Sequence, residues 1–154
     1  MQTRLRLGAG AVLVPDDWEG AATDVTGDIV LAREPVRPGE PEQFRANAVL
    51  VREDLGDLDF SAWQTAVDEV MPSMLADYVL VDLEHLQVAG RPGGRRLAHH
   101  VEPGGRAVVM EQWFTCTHGT GYTVTTTVDV HRFDALAPLL TSIGTSLRIA
   151  DDPA

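Results

Sequence analysis

The sequence contains no lysine and only one cysteine, Cys116, among its 154 residues. A single cysteine excludes an internal disulfide framework and a cysteine-rich zinc site. No stretch approaches the ~20 consecutive apolar residues that a membrane-spanning helix needs, and the chain has neither internal repeats nor low-complexity blocks. These absences leave one globular domain over residues 1–154 as the simplest organisation.

Positive charge is scarce, because 12 arginines face 23 Asp and Glu residues and give a net charge of -11 at pH 7. An acidic surface repels phosphate, which disfavours nucleic acids and anionic membranes as partners. The segment Met1–Val14 has too short an apolar run for a secretory signal peptide. We therefore expect a cytoplasmic protein that binds neither nucleic acid nor membrane.

Two amphipathic helices are predicted from apolar residues spaced three and four apart. Asp59 offers an N-cap to the first helix, and Pro72 predicts a kink or a break into two short helices. The apolar positions are Phe60, Trp63, Val67, Val70, Met74 and Tyr78 in the first helix, and Phe133, Leu136, Leu140, Ile143 and Leu147 in the second.

Strands account for most of the remaining chain. Glycine-rich turns separate the last four runs, which is typical of consecutive antiparallel hairpins. Segments Pro15–Gly27 and Glu34–Glu42 are expected to be exposed loops. The predicted strands are Ala11–Val14, Asp28–Ala32, Phe44–Arg52, Tyr78–Val88, Arg95–Val101, Ala107–Thr117 and Tyr122–Asp129.

The turns between the hairpins predict a register in which Val101 faces Arg106, and Arg96 therefore faces Glu111 as a cross-strand ion pair. A second turn would place Thr117 opposite Tyr122. One sheet face would then carry Leu86, Val88, Ala98, Val109, Trp113, Val124 and Val128, and the other Leu83, Leu97, Val101, Met110, Phe114 and Cys116. Both faces are apolar and need cover. We predict an α+β fold, an α/β/α sandwich in which helices flank both faces of an antiparallel sheet of about 6–7 strands.

Short motifs spread over nearly the whole chain resemble those of PsbP-like proteins. They are similar to that family's P-x-G-W loop, F-x-x-N-hydrophobic strand, G-x-P hairpin, and F-x-x-L-x-P-L helix with its S-hydrophobic-R ending. In this sequence the motifs lie at Pro15–Trp18, Phe44–Val51, Val88–Pro92, Phe133–Leu140 and Ser146–Arg148.

The resemblance implies a single PsbP-like domain of the superfamily that includes Mog, PsbP, DcrB and LpqN proteins and chaperones of type VI secretion effectors. The F-x-x-N-A strand and the lysine-free composition resemble the LpqN/DcrB branch most. Such proteins are mostly non-enzymatic and present a sheet edge or a concave face to another protein.

Several residue pairs were weighed as sites of chemistry. Cys116 and His118 lie two apart and could form an activated thiolate, although a buried strand cysteine beside an exposed turn histidine is the simpler interpretation. Asp82 and Glu84 have a spacing that permits acid–base work, or they form a solvated rim.

Metal and nucleotide sites have less support in the sequence. His85 and His99 could approach each other as a weak metal-binding or proton-sensitive pair, but two ligands make no convincing site. The run Gly8-Ala9-Gly10 leads into a strand, whereas phosphate binding needs a helix N-terminus. We expect no catalytic residue, no metal and no cofactor.

The sequence favours a non-enzymatic protein-binding adaptor or chaperone, with a link to secretion, whose partner is another protein. Candidate contact residues are Trp18, Asn47 and Trp113. A core-edge position is the alternative for Trp18, and a loop-tying hydrogen bond is the alternative for Asn47. An exposed strand edge would also permit a homodimer. The alternative functions are a module that binds a small apolar ligand between sheet and helix, and a Cys116-dependent enzyme.

Overall fold

Tight hairpins build most of a seven-stranded antiparallel sheet in the computed structural model, which describes residues 1–22, 27–40 and 43–150. The elements are β1 (Gln2–Leu7), β2 (Gly10–Pro15), β3 (Glu19–Ala22), β4 (Ile29–Arg33), β5 (Asn47–Asp54), α1 (Phe60–Met74), β6 (Ala76–Val88), β7 (Arg91–Val101), β8 (Ala107–Thr117), β9 (Thr120–Asp129), α2 (Phe133–Thr145) and β10 (Arg148–Ile149). The large sheet has the order β3-β4-β5-β9-β8-β7-β6, and β1-β2-β10 form a small antiparallel sheet.

Two helices and the small sheet cover the two faces of the large sheet. Helix α1 packs on one face around Trp63 and Phe114. Helix α2 and the small sheet pack together on the other face, where Trp113, Val124 and Ile143 belong to the main core. The predicted α+β sandwich with helices on both faces is confirmed. The small sheet was not foreseen, and β3 lies inside the segment Pro15–Gly27 that was expected to be a loop.

The hairpin turns are shorter than predicted. Ala89 and Gly90 join β6 to β7 with φ of +53° and +76°, and His118 and Gly119 join β8 to β9 with φ of +50° and +75°. Positive φ at both positions is the geometry of the type I′ turn, whose twist matches that of the flanking strands. Gly94, expected in a turn, therefore lies in β7, where the ring of Phe114 occupies the space that a side chain would need.

The predicted register between β7 and β8 is wrong by one residue. Val101 faces Ala107 instead of Arg106, because the carboxylate of Glu102 accepts hydrogen bonds from the backbone of Gly104 (2.8 Å) and Arg106 (3.1 Å) and closes a five-residue connection. A one-residue slip exchanges the faces of a strand. Leu97 and Val101 consequently lie on the α2 side, and Ala98 lies on the α1 side.

Because of this shift in register, the predicted Arg96–Glu111 ion pair is also wrong. Arg96 faces Gln112 across the strands, and Arg95 bonds to Glu111 at 2.6 Å on the opposite face. The predicted register between β8 and β9 is wrong by two residues, since Thr117 faces Thr120. A two-residue error preserves the faces, so Trp113 and Val124 share a face as predicted.

Helix α1 is a single helix despite Pro72. Its N-cap is Asp59, whose carboxylate accepts a hydrogen bond of 2.8 Å from the backbone of Ala62. Pro72 removes only the backbone bond to the carbonyl of Asp68, and the helix ends two residues later. The predicted break into two helices is wrong. Tyr78, predicted both as the last helical apolar position and as the first residue of a strand, lies in β6.

The segment expected to be the exposed loop Glu34–Glu42 begins with a buried charge, and residues 41 and 42 lie outside the described residues. Glu34 is only 7% exposed. Its carboxylate accepts hydrogen bonds from Arg132, just before α2, and from the backbone of Ala46 at 2.9 Å. Burial acts to raise the pKa of Glu34, but these hydrogen bonds outweigh it and hold the pKa below the ordinary value of 4.5.

We predict that Gly144→Ala destabilises the protein, although alanine normally favours a helix. A Cβ at position 144 would overlap with the indole of Trp113, which is 2% exposed and has no room to move. Overpacking of this kind costs about 1–3 kcal/mol. Chemical denaturation measures the change, with the exposed Ser142→Ala on the same helix as the control. Equal stability of the two variants would contradict this packing.

We also predict that Glu34→Gln lowers stability at pH 7 by about 1–3 kcal/mol, because Arg132 loses its buried partner. A carboxylate with a lowered folded-state pKa stabilises the protein above its unfolded pKa, and this contribution is lost as the pH falls through the folded pKa. The wild type should therefore lose more stability below pH 4.5 than Glu34→Gln does. Thermal unfolding from pH 7 to pH 3 tests this, with the exposed Glu40→Gln as control; parallel profiles would contradict it.

Candidate functional site at the open edge of the sheet

Strand β6 is the last strand of the large sheet and pairs only with β7 among the described residues. It is 13 residues long, and its outer backbone groups face no other strand of the described chain. We define the open edge as its four exposed apolar residues, which are Val79 (57% exposed), Leu80 (44%), Val81 (52%) and Leu83 (40%). Natural edge strands usually carry charge or are covered, since an apolar edge invites another strand to pair.

The backbone of β6 is regular over part of its length only. The register shifts around Val81, between Leu80 and Asp82, whereas Asp82–Val88 pairs continuously with Arg91–Leu97. An irregularity of this kind bends an edge and re-aims its side chains. The continuous stretch is long enough to offer a partner strand a straight ladder of backbone donors and acceptors.

Helix α1 extends the apolar surface beside the open edge. Trp63, near its start, is buried, whereas Val70 and Met74, near its end, are 43% and 71% exposed. The same apolar stripe therefore covers the sheet in its first half and faces solvent in its second half. Since Met74 is separated from β6 by Leu75 alone, the two exposed surfaces adjoin in the chain.

Carboxylates accompany the open edge on the α2 face of the sheet. The guanidinium of Arg95 bonds to Glu111 at 2.6 Å, to Glu84 at 3.1 Å and to Asp82 at 3.4 Å. Glu111 is buried, while Asp82 and Glu84 are half-exposed. One cation among three carboxylates leaves this part of the edge negative. Asp82 and Glu84 thus belong to an ion-pair network. They are its half-exposed members and form the solvated rim that the sequence predicts.

Arg96 holds α1 against the sheet on the other face. It is 1% exposed, and its guanidinium donates hydrogen bonds to Asp68 (2.7 Å), Gln112 (2.8 Å) and Gln64 (2.9 Å). Its guanidinium carbon lies 4.8 Å from the ring centroid of Phe114, a cation–π distance. A buried guanidinium is tolerated only when it is paired and hydrogen-bonded. Gln64 and Asp68 lie one helical turn apart on α1, and their hydrogen bonds to Arg96 fix the position of the helix on the sheet.

A small cavity opens between α1 and β6. Its volume is about 240 Å³. Aromatic rings and acidic or imidazole side chains share its wall. The lining includes Phe60, Gln64, Asp68, Leu83, Glu84, His85 and Phe114. The rings and the Asp68 carboxylate suit one side chain with an apolar stem and a cationic end.

The three predicted contact residues do not lie on the open edge. Trp113 is in the main core and has no surface to offer a partner. Trp18 is half-buried and packs against the same core, which is the core-edge position weighed as its alternative. Asn47 begins β5, and its side-chain amide donates a hydrogen bond of 3.2 Å to the carbonyl of Arg45. Trp18 and Asn47 as partner contacts stay predictions.

The other candidate pairs are placed as follows. His85 faces Gly94 and His99 faces Val79, so the two histidines are not opposite each other as expected. Within the described residues, no group of three or more His, Cys, Asp and Glu side chains is arranged to hold a metal. Cys116 is half-buried and packs beside the Trp63 cluster, and burial together with the charge of Asp59 raises the pKa of its thiol. A raised pKa opposes thiolate formation.

The exposed edge was missed by sequence reasoning, although a signal was present. Val79, Leu80 and Val81 are three consecutive apolar residues, and no strand that alternates regularly can bury all of them on one face. The prediction instead placed Leu83 on a covered face. At Gln64 and Asp68, helix α1 presents polar side chains to the sheet. Its apolar surface therefore does not cover the whole of β6.

The sequence matches no protein-family model and no curated protein, but many solved structures share the fold. The Ran-binding protein Mog1p of Saccharomyces cerevisiae superposes with a TM-score of 0.66 at 14% identity, over 98% of this chain and 96% of that one. LpqN of Mycobacterium tuberculosis, described as involved in cell envelope biogenesis, gives 0.65 at 16% identity, over 98% and 91%. CyanoP, the PsbP of Synechocystis sp. PCC 6803, gives 0.66 at 13%, over 97% and 92%.

These likenesses confirm the predicted resemblance at the level of the fold, which is that of the Mog/PsbP/LpqN superfamily. The LpqN-like branch is one of several that match comparably. The described helices include none with the length and apolar character to cross a bilayer.

We predict that Cys116 is alkylated slowly by iodoacetamide at pH 7 in the folded protein. The pH midpoint of alkylation should lie above that of the urea-unfolded chain, because burial and Asp59 raise the pKa of the thiol. Asp59→Asn should lower this midpoint while keeping the helix cap, since Asn caps as well as Asp. Mass spectrometry follows the reaction, and rapid labelling at pH 7 would instead favour the Cys116-dependent enzyme.

Proposed function

We propose that this chain, with the fold of the Mog/PsbP/LpqN superfamily, is a non-enzymatic adaptor that binds an extended segment of another protein along β6. The open edge carries the proposal, because it joins unpaired strand backbone to four exposed apolar side chains. Addition of a strand to a sheet edge is a common mode of peptide recognition, in which backbone hydrogen bonds give affinity and side-chain pockets give specificity. That Mog1p is a Ran-binding protein and LpqN acts in envelope biogenesis supports a binding role.

The charge around the open edge defines the partner's chemistry. Asp77, Asp82 and Glu84 lie on β6 itself, and the whole chain carries -11. Opposite charges across paired strands stabilise, whereas like charges destabilise. The partner segment is therefore apolar and basic, with arginine or lysine among its apolar residues. A second copy of this acidic chain is a poorer fit because it would bring the same carboxylates to the edge.

The cavity between α1 and β6 supports this choice over a free apolar ligand. Cavities for drug-sized ligands span about 300–1,000 Å³, and this one has about 240 Å³ with the side chains of Asp68 and His85 in its wall. It matches one long side chain of a bound segment. The more specific form of the proposal is that the chain acts in the cytoplasm as a chaperone for proteins awaiting secretion. It predicts that the secreted protein contains a basic, strand-forming segment.

We predict that a photo-crosslinking residue at position 81 captures a discrete partner from an extract of the source organism. The matched control is the same residue at Val36, which is 50% exposed in the connection between β4 and β5. Adding Val79→Lys to the Val81 probe should reduce the adduct roughly fivefold, because a like charge on the edge costs about 1 kcal/mol. Stability should change by less than about 0.5 kcal/mol, since Val79 is exposed.

Adducts analysed by mass spectrometry separate the outcomes. A partner crosslinked from position 81 through an apolar and basic segment supports the proposal. A crosslinked pair of copies of this chain would replace the partner by a homodimer. Equal capture from positions 81 and 36, or an adduct unaffected by Val79→Lys, would overturn binding at the open edge.

A further inference from the structure

The outer face of the small sheet gathers three arginines in a strongly acidic protein. Side chains alternate along each strand, so Leu5, Leu7, Val12 and Ile149 point to the core while their neighbours point to solvent. The outward positions are Arg4, Arg6, Ala11, Leu13 and Arg148. We call Arg4, Arg6 and Arg148 the arginine face.

These arginines lack the partners that others in the protein have. Arg33, Arg37, Arg45, Arg52, Arg95, Arg96, Arg106 and Arg132 each have a carboxylate within 4.0 Å. Within the described residues, Arg4, Arg6 and Arg148 have no carboxylate within that distance, and Arg148 donates only to the neighbouring carbonyl of Leu147, at 3.3 Å. Arg4 and Arg6 lie two residues apart on β1, and Arg148 lies on the same face across β2, so their like charges repel one another. In a chain with a large excess of carboxylates, three adjacent unpaired cations are therefore unexpected for stability alone.

The sheet register brings the arginines around one small residue. Ala11, on the central strand β2, faces Arg6 on one side and Arg148 on the other, and Leu13 faces Arg4. With neighbouring strands ~4.8 Å apart, Arg6 and Arg148 are about 10 Å apart at their Cα atoms. The short side chain of Ala11 leaves a hollow between them.

That hollow is a formed cavity of about 160 Å³ lined by Arg4, Ala11, Leu13, Ser146 and Arg148, together with Val12. Ser146 fixes its floor, because its hydroxyl accepts from the backbone of Leu13 at 2.8 Å and donates to the carbonyl of Ile143 at 2.6 Å. The Ser146 hydroxyl is thus already engaged. The donors left for a ligand are guanidinium groups, whose planar fork matches carboxylate and phosphate oxygens.

We propose that the arginine face is an oxyanion-binding site in which Arg4 and Arg148 hold a phosphate or carboxylate group above Ala11, with Arg6 adding to the positive field. The ligand supplies negative charge, which the residues described in the structure do not place within 4.0 Å of these arginines. Both a free oxyanion and an acidic side chain of another protein carry the required group. The proposal is independent of binding at the open edge.

The test compares thermal unfolding of the full chain in sodium phosphate and in sodium chloride of equal ionic strength at pH 7. At a phosphate concentration ten times the Kd, the melting temperature of the wild type should rise by roughly 3–6 °C over chloride. The double variant Arg4→Gln/Arg148→Gln should lose this rise. In chloride it should be at least as stable as the wild type, because charge repulsion is removed.

The matched control is Arg33→Gln/Arg106→Gln, which changes the charge equally at two exposed positions elsewhere. It also accounts for general stabilisation by phosphate, which acts on any folded protein. The control should keep the rise. An equal rise in the wild type and in Arg4→Gln/Arg148→Gln would exclude phosphate as the ligand, and, with no binding of the acidic peptide described next, would overturn the site.

An acidic peptide distinguishes a protein source of the oxyanion from a free anion. It carries glutamate at alternate positions, because that spacing matches the spacing of Arg4 and Arg6 on β1. Calorimetric titration should show saturable binding of phosphate, of the peptide or of both, and loss of that binding in Arg4→Gln/Arg148→Gln. Tighter binding of the peptide identifies a protein source, and binding of phosphate alone identifies a free anion. Binding of neither to the wild type would contradict the proposal.

Discussion

The register between β7 and β8 is the constraint on which the rest of the structure depends. Arg95 and Arg96 are adjacent, so they point to opposite faces, and the register decides what each of them meets. Arg95 reaches Glu111, and Arg96 reaches Gln112 together with Asp68 from α1. A slip by one residue would bury a glutamate without its cation and would separate Arg96 from α1. Removing one partner of such a buried pair is strongly destabilising. The position of α1 over the sheet is therefore fixed by a pair of charges as well as by apolar packing.

The same arrangement explains why the last strand of the sheet remains open. Helix α1 presents the polar pair Gln64 and Asp68 to Arg96 at the point where it would otherwise present apolar side chains toward β6. Its apolar contact with the sheet is concentrated earlier, at Trp63, which packs edge-to-face on Phe114. The core is complete without Val79 and Val81. Substitution at those positions should thus have little effect on folding, so the proposed recognition and the stability of the fold depend on different strands.

Much of this fold could be predicted from the sequence, because hydrophobic periodicity and turn glycines are local signals. The N-cap Asp59, the four-strand meander and the cover on both faces follow from them. The register could not be predicted in the same way, because neither signal reveals the contacts that set it. The Glu102 carboxylate accepts from backbone amides within its own connection, and Phe114 lies over Gly94 of the neighbouring strand. The short strands β3 and β10 were missed since they carry too few residues to show a period. Trp113 lies in the core against Gly144 of α2 and not at a surface; an aromatic residue can serve either place, and only the packing against α2 decides between them.

Charge is distributed so that the two proposed surfaces select opposite ligands. The open edge combines apolar residues with Asp77, Asp82 and Glu84, whereas the arginine face is the part of the described chain where cations lack acidic neighbours. The small sheet packs over β4 and β5, and β9, β8 and β7 separate β5 from β6, a distance of about 19 Å at ~4.8 Å per strand. Beyond a Debye length of about 8 Å, exposed charges are largely screened at physiological salt. A ligand at one proposed surface would therefore neither block the other surface nor strongly change its affinity through charge, and the two proposals are compatible with simultaneous binding.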